Sequence, residues 1–208
     1  SLDGILLHVT AEYLPRDVAN TIKRGTYEFA ERHLVKEFVE RNDRIVEIGT
    51  GVGAVALLAA KIAGEGSVTC YEANPSLQKV IKANQELNKL YPRLVGFPVT
   101  SDGRQIEFCV MDNILSSSVF DRGGKPTTLS SLQFSDILLE EKPTTVIMDV
   151  EGLEVELLAG DLPGVRKIIV ETHAKIVGDE ETRKMLDSLK AAGFEQAAFL
   201  HKNAVFLR

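Results

Sequence analysis

The residues that could do chemistry begin with a glycine-rich stretch, Glu47-Ile48-Gly49-Thr50-Gly51-Val52-Gly53-Ala54. It follows the apolar run "RIV" and precedes "VALLAAKIA". Alternate glycines between a strand and a helix let the backbone approach a ligand closely. Two cradles fit. From Gly49 the spacing is G-x-G-x-x-A, a dinucleotide fingerprint. From Glu47 it is acidic-x-G-x-G-x-G, the S-adenosylmethionine form. Glu47 favours the second, because a carboxylate repels a diphosphate and suits an ammonium and a sulfonium.

Other candidate groups sit at the ends of expected strands, where ligands bind in an open parallel sheet. They are Glu72-Ala73-Asn74, Val99-Thr100-Ser101-Asp102, Asp149-Val150-Glu151-Gly152 and Glu171-Thr172-His173. Glu72 is placed to accept both hydroxyls of a ribose, which either cofactor presents.

These positions need elements to hold them. Residues 12–41 are expected to be helical, with Tyr27, Ala30, Leu34 and Phe38 on one face and Thr26 as N-cap. "RIVEIG" and "SVTCYEA" are expected strands, with "AVALLAAKIA" a helix between them, ended by Gly64 and Gly66. Asn74-Pro75 should start a helix to about Leu90, with Leu77, Val80, Ile81 and Leu87 inward. "LVGFPVTS" is an expected third strand, and "DGRQIEFCVM" a short one. Residues 110–131 are expected to form a long variable loop, whose Ser116-Ser117-Ser118 and Gly123-Gly124 suit a lid or substrate wall. A short helix "FSDILLEEK", a central strand "TTVIMDVEG" and a helix "LEVELLAG" stopped by Gly160 follow. The strand "RKIIVETH" and an amphipathic helix with Met185, Leu186 and Leu189 inward come next. "FEQAAFL" and "AVFLR" should close the sheet as a hairpin. The fold class is therefore α/β: a Rossmann-like, mostly parallel seven-stranded sheet with a C-terminal antiparallel hairpin and helices on both faces. Residues 1–41 are read as a helical segment packing on the core, and 42–208 as a single domain.

Bulk properties narrow the partners. The 208 residues are 44% hydrophobic and 26% charged, as a globular domain requires. A net charge of −6 without a long basic run argues against a nucleic-acid partner. No apolar run is long enough to span a membrane. Two cysteines, Cys70 and Cys109, both strand-like, are read as buried free thiols, which fits the cytoplasm. The oligomeric state is open, a homodimer included.

In order, "VEIGTGVGAVAL", "CYEANPSLQKVIKANQELN", "SDG", "SSS", "VIMDVEGLEVELLAG" and "IIVETH" resemble the FkbM-type methyltransferases, a class I S-adenosylmethionine-dependent family. The resemblance covers roughly residues 40–175. D-V-E-G-x-E-x-x-x-L is more specific than any glycine turn, although this chain has "EAN" where the family often has "EPN". It implies the fold above, S-adenosyl-L-methionine as cofactor, S-adenosyl-L-homocysteine as product, and O-methylation of a small-molecule or sugar hydroxyl. By the same implication Glu47, Gly49, Thr50, Gly51 and Gly53 line the cofactor's amino-acid end. Glu72 and Ala73 hold the ribose, and Asn74 with Thr100, Ser101 and Asp102 lies near the adenine. Asp149 and Glu151 face the active site, Asp149 also touching cofactor.

A hydroxyl is a poor nucleophile at neutral pH and benefits from a base. His173 is the first candidate, with Asp149 and Glu171 orienting it or sharing the role. His8, His33 and His201 are read as structural or surface groups. A second scheme lets Asp149, Glu151, Glu171 and His173 bind a divalent cation; spacing leaves it open, and no metal is predicted. Outside methyl transfer stand a NAD-binding oxidoreductase domain and a cofactor-binding module without turnover.

Overall fold

The computed structural model describes residues 1–64, 66–110 and 125–208. The chain opens with two helices where the pattern predicts one. α1 (Arg16–Arg24) buries Val18, Ala19 and Ile22 and stops at Gly25, whose φ of 80° no helix continues. α2 (Phe29–Phe38) starts only after Glu28. Thr26 therefore caps nothing, and its hydroxyl bonds back to the Thr21 carbonyl. Tyr27 lies in the turn between the helices, where its ring is buried.

β1 (Ile45–Ile48), α3 (Ala54–Ala63), β2 (Val68–Tyr71), α4 (Pro75–Asn88) and β3 (Arg93–Val95) follow in the expected rhythm. α3 is apolar nearly all round because it is buried nearly all round. α4 is capped by the Asn74 side chain, which accepts from the Ser76 N–H at 2.9 Å. It ends at Asn88, and Leu87 is 40% exposed rather than inward. The expected third strand is two pieces. β3 pairs with β2, the chain breaks at Gly96-Phe97-Pro98, and β4 (Val99–Thr100) pairs elsewhere. Thr100 to Asp102 are thus not at the end of a main-sheet strand.

β5 (Gln105–Val110) and β6 (Lys125–Ser130) form a separate antiparallel pair, so 125–130, expected within the loop, are strand. Ser116, Ser117, Ser118, Gly123 and Gly124 lie outside the described residues. β7 (Leu132–Gln133) pairs with β4 and leads into α5 (Phe134–Glu141). β8 (Thr145–Met148) is central; α6 is a single turn (Glu154–Leu157) that ends before Gly160. β9 (Lys167–Glu171), α7 (Ala174–Val177) and α8 (Asp179–Ala191) follow, with Met185 and Leu189 buried and Leu186 partly so. β10 (Glu195–Leu200) and β11 (Asn203–Leu207) form the expected hairpin.

The seven-stranded order is β10-β11-β9-β8-β1-β2-β3. All neighbours run parallel except β11, antiparallel to both β9 and β10. From β1 the chain winds outward to β3, then returns to pair β8 on the other flank of β1. The strand order therefore reverses between β1 and β8, where a ligand crevice is expected.

Side chains alternate across this sheet. Val46, Ile48, Val146, Met148, Ile168 and Val170 pack under α5 and α8. Ile45, Ile147, Ile169 and Val205 pack under α2 and α3. By the same period of two, Glu47, Asp149, Glu171 and Asn203 fall on the α2 face at one edge. Residues 1–41 add their own core, as Leu14, Val18, Ile22 and Tyr27 meet Val52, Ala54, Leu77 and Val80. Among the described residues no helix is long and apolar enough to cross a membrane.

Candidate active site

The three glycines of the turn do different work. A Cβ on Gly49 would overlap the Asp149 carbonyl oxygen, and its φ is 85°, so this glycine closes β1 onto β8. Gly53 precedes α3 at φ 85°, a backbone conformation that favours glycine, although a Cβ there would meet Ile81 only at an ordinary 3.4 Å. At Gly51 a Cβ would lie 2.9 Å from the Tyr27 hydroxyl and 3.1 Å from Glu28 Oε1. The turn therefore borders the N-terminal segment directly.

Glu47 is 2% exposed. Burial pushes its pKa well above the usual carboxylate range and the charge of Glu31 adds to this, against contacts with the Thr50 hydroxyl and the Ala56 main chain. Its Oε2 has no hydrogen-bond partner among the described residues. Thr50, also buried, bonds the Tyr71 carbonyl. Glu72 accepts from Gly51 N–H at 3.0 Å and Asn74 N–H at 2.8 Å, tying the turn to the end of β2. Burial raises its pKa to about 7, although those main-chain bonds and others from Ala73 and Thr50 favour the anion. Asn74 is buried and caps α4. Thr100 accepts from Gly103 N–H at 3.0 Å and lies 2.7 Å from the Ser131 hydroxyl. Asp102 pairs with Arg104 at 2.8 Å, and Ser101 N–H donates to Glu156.

The β8 and β9 ends meet. His173 Nε2 lies 3.5 Å from Asp149 Oδ1, 3.5 Å from Glu171 Oε1 and 3.6 Å from Glu151 Oε2. Its Nδ1 lies 3.1 Å from Glu154 Oε1, which also accepts the His173 main-chain N–H at 2.8 Å. Burial alone would lower the imidazole pKa, but Glu154 and the nearby carboxylates outweigh it, and the net shift is upward. Asp149 is pushed well above its ordinary range by burial and by Glu31 and Glu171, against the pull of His173. One ligand atom each from Asp149, Glu171 and His173 lie within 4.8 Å of one another, a geometry a divalent cation could also use.

Sequence reasoning passed over three contributors. Glu154, 1% exposed, lies within D-V-E-G-x-E and holds His173. Glu28, in the turn before α2, and Glu31, in its first turn, share an electrostatic field with Glu47, Asp149 and Glu171. The one signal for them was Gly25, which interrupts the helical pattern. Asn84 and Asn88, one turn apart on α4, are clamps: Asn84 donates to the Val52 carbonyl, and Asn88 exchanges bonds with the Leu6 main chain.

A model of the TRM5/TYW2 methyltransferase domain matches residues 17–121, about half of the chain. The chain belongs to the TRM5/TYW2 methyltransferase domain family. It is thus a class I methyltransferase domain; the match does not extend to the FkbM type. No curated protein matches the chain. Among solved structures, a precorrin-6y C5,15-methyltransferase from Geobacter metallireducens is 12% identical, over 100% of this chain and 98% of its own, with a TM-score of 0.53. Fibrillarin from Aeropyrum pernix, solved with S-adenosyl-L-methionine, is 13% identical over 86% of this chain and 73% of its own, TM-score 0.50. The chain spans 65% of an NADB-Rossmann superfamily protein from Streptococcus agalactiae, at 12% identity, 85% coverage of this chain and a TM-score of 0.49.

Methyltransferases of this class draw their methyl group from S-adenosylmethionine, and the groups present in the TRM5/TYW2-type domain suit that cation. At the opposite sheet edge the buried Asp43 has Lys167 at 2.8 Å, which overcomes the burial penalty and lowers its pKa. At the ligand edge Glu47 Oε2, Asp149 Oδ1 and Asn203 Oδ1 have no hydrogen-bond partner among the described residues. Buried acceptors without donors are costly unless a ligand supplies them.

Proposed function

We propose that this domain transfers a methyl group from S-adenosyl-L-methionine to a hydroxyl of a small molecule or sugar, leaving S-adenosyl-L-homocysteine. The observation that carries the reading is His173 Nε2. It faces three carboxylates at 3.5–3.6 Å, beyond good hydrogen-bond distance, beside the glycine turn. A hydroxyl seated there bonds to Nε2 and gives up its proton to the His173–Asp149 pair as the oxygen attacks.

The cofactor supplies an electrophilic methyl on a sulfonium. Glu47 and the turn through Gly49, Thr50, Gly51 and Gly53 hold its amino-acid end. Glu72 and Ala73 receive the ribose. Asn74, Thr100, Ser101 and Asp102 border the adenine, and Asp149 lies between cofactor and acceptor. Glu171 and Glu151 keep a positive charge on His173 favourable after proton transfer. The D-V-E-G and E-T-H strand ends support an FkbM-type acceptor, and the buried thiol of Cys70 suits the cytoplasm.

A nucleic-acid acceptor is the second reading, favoured by the TRM5/TYW2 family match. The carboxylates around His173 and the net charge of −6 oppose a phosphate backbone. Calorimetry is expected to show binding of S-adenosylhomocysteine and none of NAD, with Glu47→Lys abolishing it. Tight binding of NAD, or retained cofactor binding in the variant, overturns the assignment. A labelled-methyl assay over sugars, phenols and bulk tRNA then tests the acceptor; label entering tRNA alone removes the hydroxyl reading.

A further inference from the structure

We propose that Glu28, held by Tyr27, receives the α-ammonium of the cofactor's methionine end, so that the N-terminal turn forms one wall of the site. The inference rests on the assignment of the Glu47–Gly53 turn to S-adenosylmethionine.

The backbone is the first observation. Glu28 sits at φ 45°, in the left-handed region, and its side chain makes no cap bond to α2. A non-glycine residue there is strained by roughly 1–2 kcal/mol. The conformation directs the carboxylate at the glycine turn, with Oε1 3.1 Å from the Cβ position of Gly51. Arg32, itself buried, holds the turn from behind through the Tyr27 and Gly25 carbonyls at 2.9 Å each, and pairs with Asp3. Tyr27 links the turn to the glycine loop, since its hydroxyl lies with Glu28 Oε1 against the Cβ position of Gly51, and the Glu28 carboxylate and Val52 main chain both act on it.

The second observation is the unmet acceptors. Glu28 Oε2 is shielded from solvent and has no hydrogen-bond partner among the described residues. The same holds for Oε2 of Glu47, at 2% exposure. Burial raises the Glu28 pKa well above the usual range, the Tyr27 bond opposes this, and Asp149, Glu47 and Glu171 add to it, so four carboxylates share one field. Of the two arginines four residues away, Arg24 ends α1 at the exposed surface and Arg32 is committed to carbonyls and Asp3. What fits is a compact cation with several N–H donors arriving along the glycine turn. An ammonium carries three. Glu72 lies at the β2 end, on the ribose side, which leaves the methionine end toward α2.

Calorimetry with S-adenosylhomocysteine and with 5′-methylthioadenosine, which lacks the amino-acid portion, tests this. Glu28→Gln is expected to weaken S-adenosylhomocysteine about 10- to 100-fold, as for a lost charge-assisted bond, and to leave methylthioadenosine unchanged. Tyr27→Phe keeps the ring and is expected to give a smaller loss with the same selectivity; it carries the test if Glu28→Gln does not fold. Unchanged S-adenosylhomocysteine affinity in a folded variant, or equal loss for both ligands, overturns the role of Glu28. A wild-type protein that binds neither ligand instead removes the cofactor assignment beneath it.

Discussion

Glu154 Oε1 accepts two hydrogen bonds from one residue, the main-chain N–H of His173 at 2.8 Å and its imidazole Nδ1–H at 3.1 Å. The other oxygen accepts the Gly152 N–H at 2.8 Å. One buried carboxylate thus joins the turn after β8 to the end of β9. It also sets the tautomer, because a proton on Nδ1 leaves Nε2 free to accept one.

Replacing Glu154 with Gln keeps the shape and removes the charge. The His173 pKa, now raised partly by Glu154, is expected to fall. The methyl-transfer rate should drop by about 10- to 100-fold, the scale of a misdirected base, while KM for the cofactor stays within a few-fold. NMR titration of the imidazole and a kcat-against-KM comparison check this. A rate loss without a pKa change would mean that Glu154 supports only the backbone.

The pH–rate profile follows from the same residue. A base must be unprotonated to act, and the His173 pKa lies above its ordinary 6.5. Activity is expected to rise with pH through a midpoint above 6.5, at saturating cofactor. His173→Ala should cost at least about 100-fold and abolish that limb. A flat profile from pH 6 to 9 would remove His173 as the base.

Stability should run the other way with pH. Burial holds the Glu72 pKa at about 7 in the folded state, against an ordinary 4.5. The folded state therefore binds the extra proton, and stability present below pH 4.5 is lost as pH rises to about 7. Glu28, Glu47 and Asp149 shift in the same direction. The free protein is expected to melt at lower temperature at pH 8 than at pH 6. S-adenosylhomocysteine, whose ammonium offsets these charges, should raise the melting temperature more at pH 8. Scanning calorimetry at both pH values decides it.

Gly49→Ala places a methyl group on the Asp149 carbonyl at a φ of 85°. A loss of about 3 kcal/mol or more is expected, since neither backbone nor strand can yield. Gly25→Ala, with a similar φ but open space around it, should cost only about 1 kcal/mol. Urea denaturation of both variants separates strain from collision.

Chelation should leave turnover intact. Asp149, Glu171 and His173 have metal-like spacing. The proposed mechanism uses His173 Nε2 as the proton acceptor while Nδ1 faces Glu154, so a cation on Nε2 would displace the acceptor hydroxyl. Loss of activity after chelation, restored by a divalent cation, would assign these three residues to a metal instead.

Local pattern was enough for the strands β1, β2, β8 and β9, the helices α3 and α4, and the closing hairpin. Each is marked by a period of two or 3.6 and by punctuation such as Gly64 or Asn74-Pro75, and those signals lie within a few residues. The candidate groups at the strand ends, Glu47, Glu72, Asp149, Glu171 and His173, were legible for the same reason: a parallel sheet places its ligands there. The division of the N-terminal segment into two helices was not, because helical periodicity is blind to one left-handed residue at Gly25. Nor was the break of the third strand at Gly96-Phe97-Pro98, where apolar character continues and pairing does not.

Proximity across the sheet was decided only by the tertiary structure. Glu28 and Glu31 precede Asp149 and Glu171 by more than a hundred residues, and no sequence period relates them. The reversal of strand order brings β8 beside β1, and α2 packs over the neighbouring β9 and the closing hairpin. That arrangement turns scattered carboxylates into one chamber, in which Glu28 faces Gly51 and Glu154 grips His173. Sequence determines which side chains can ionise; the shared low-dielectric space, which makes their charges act on one another, exists only once the chain has closed.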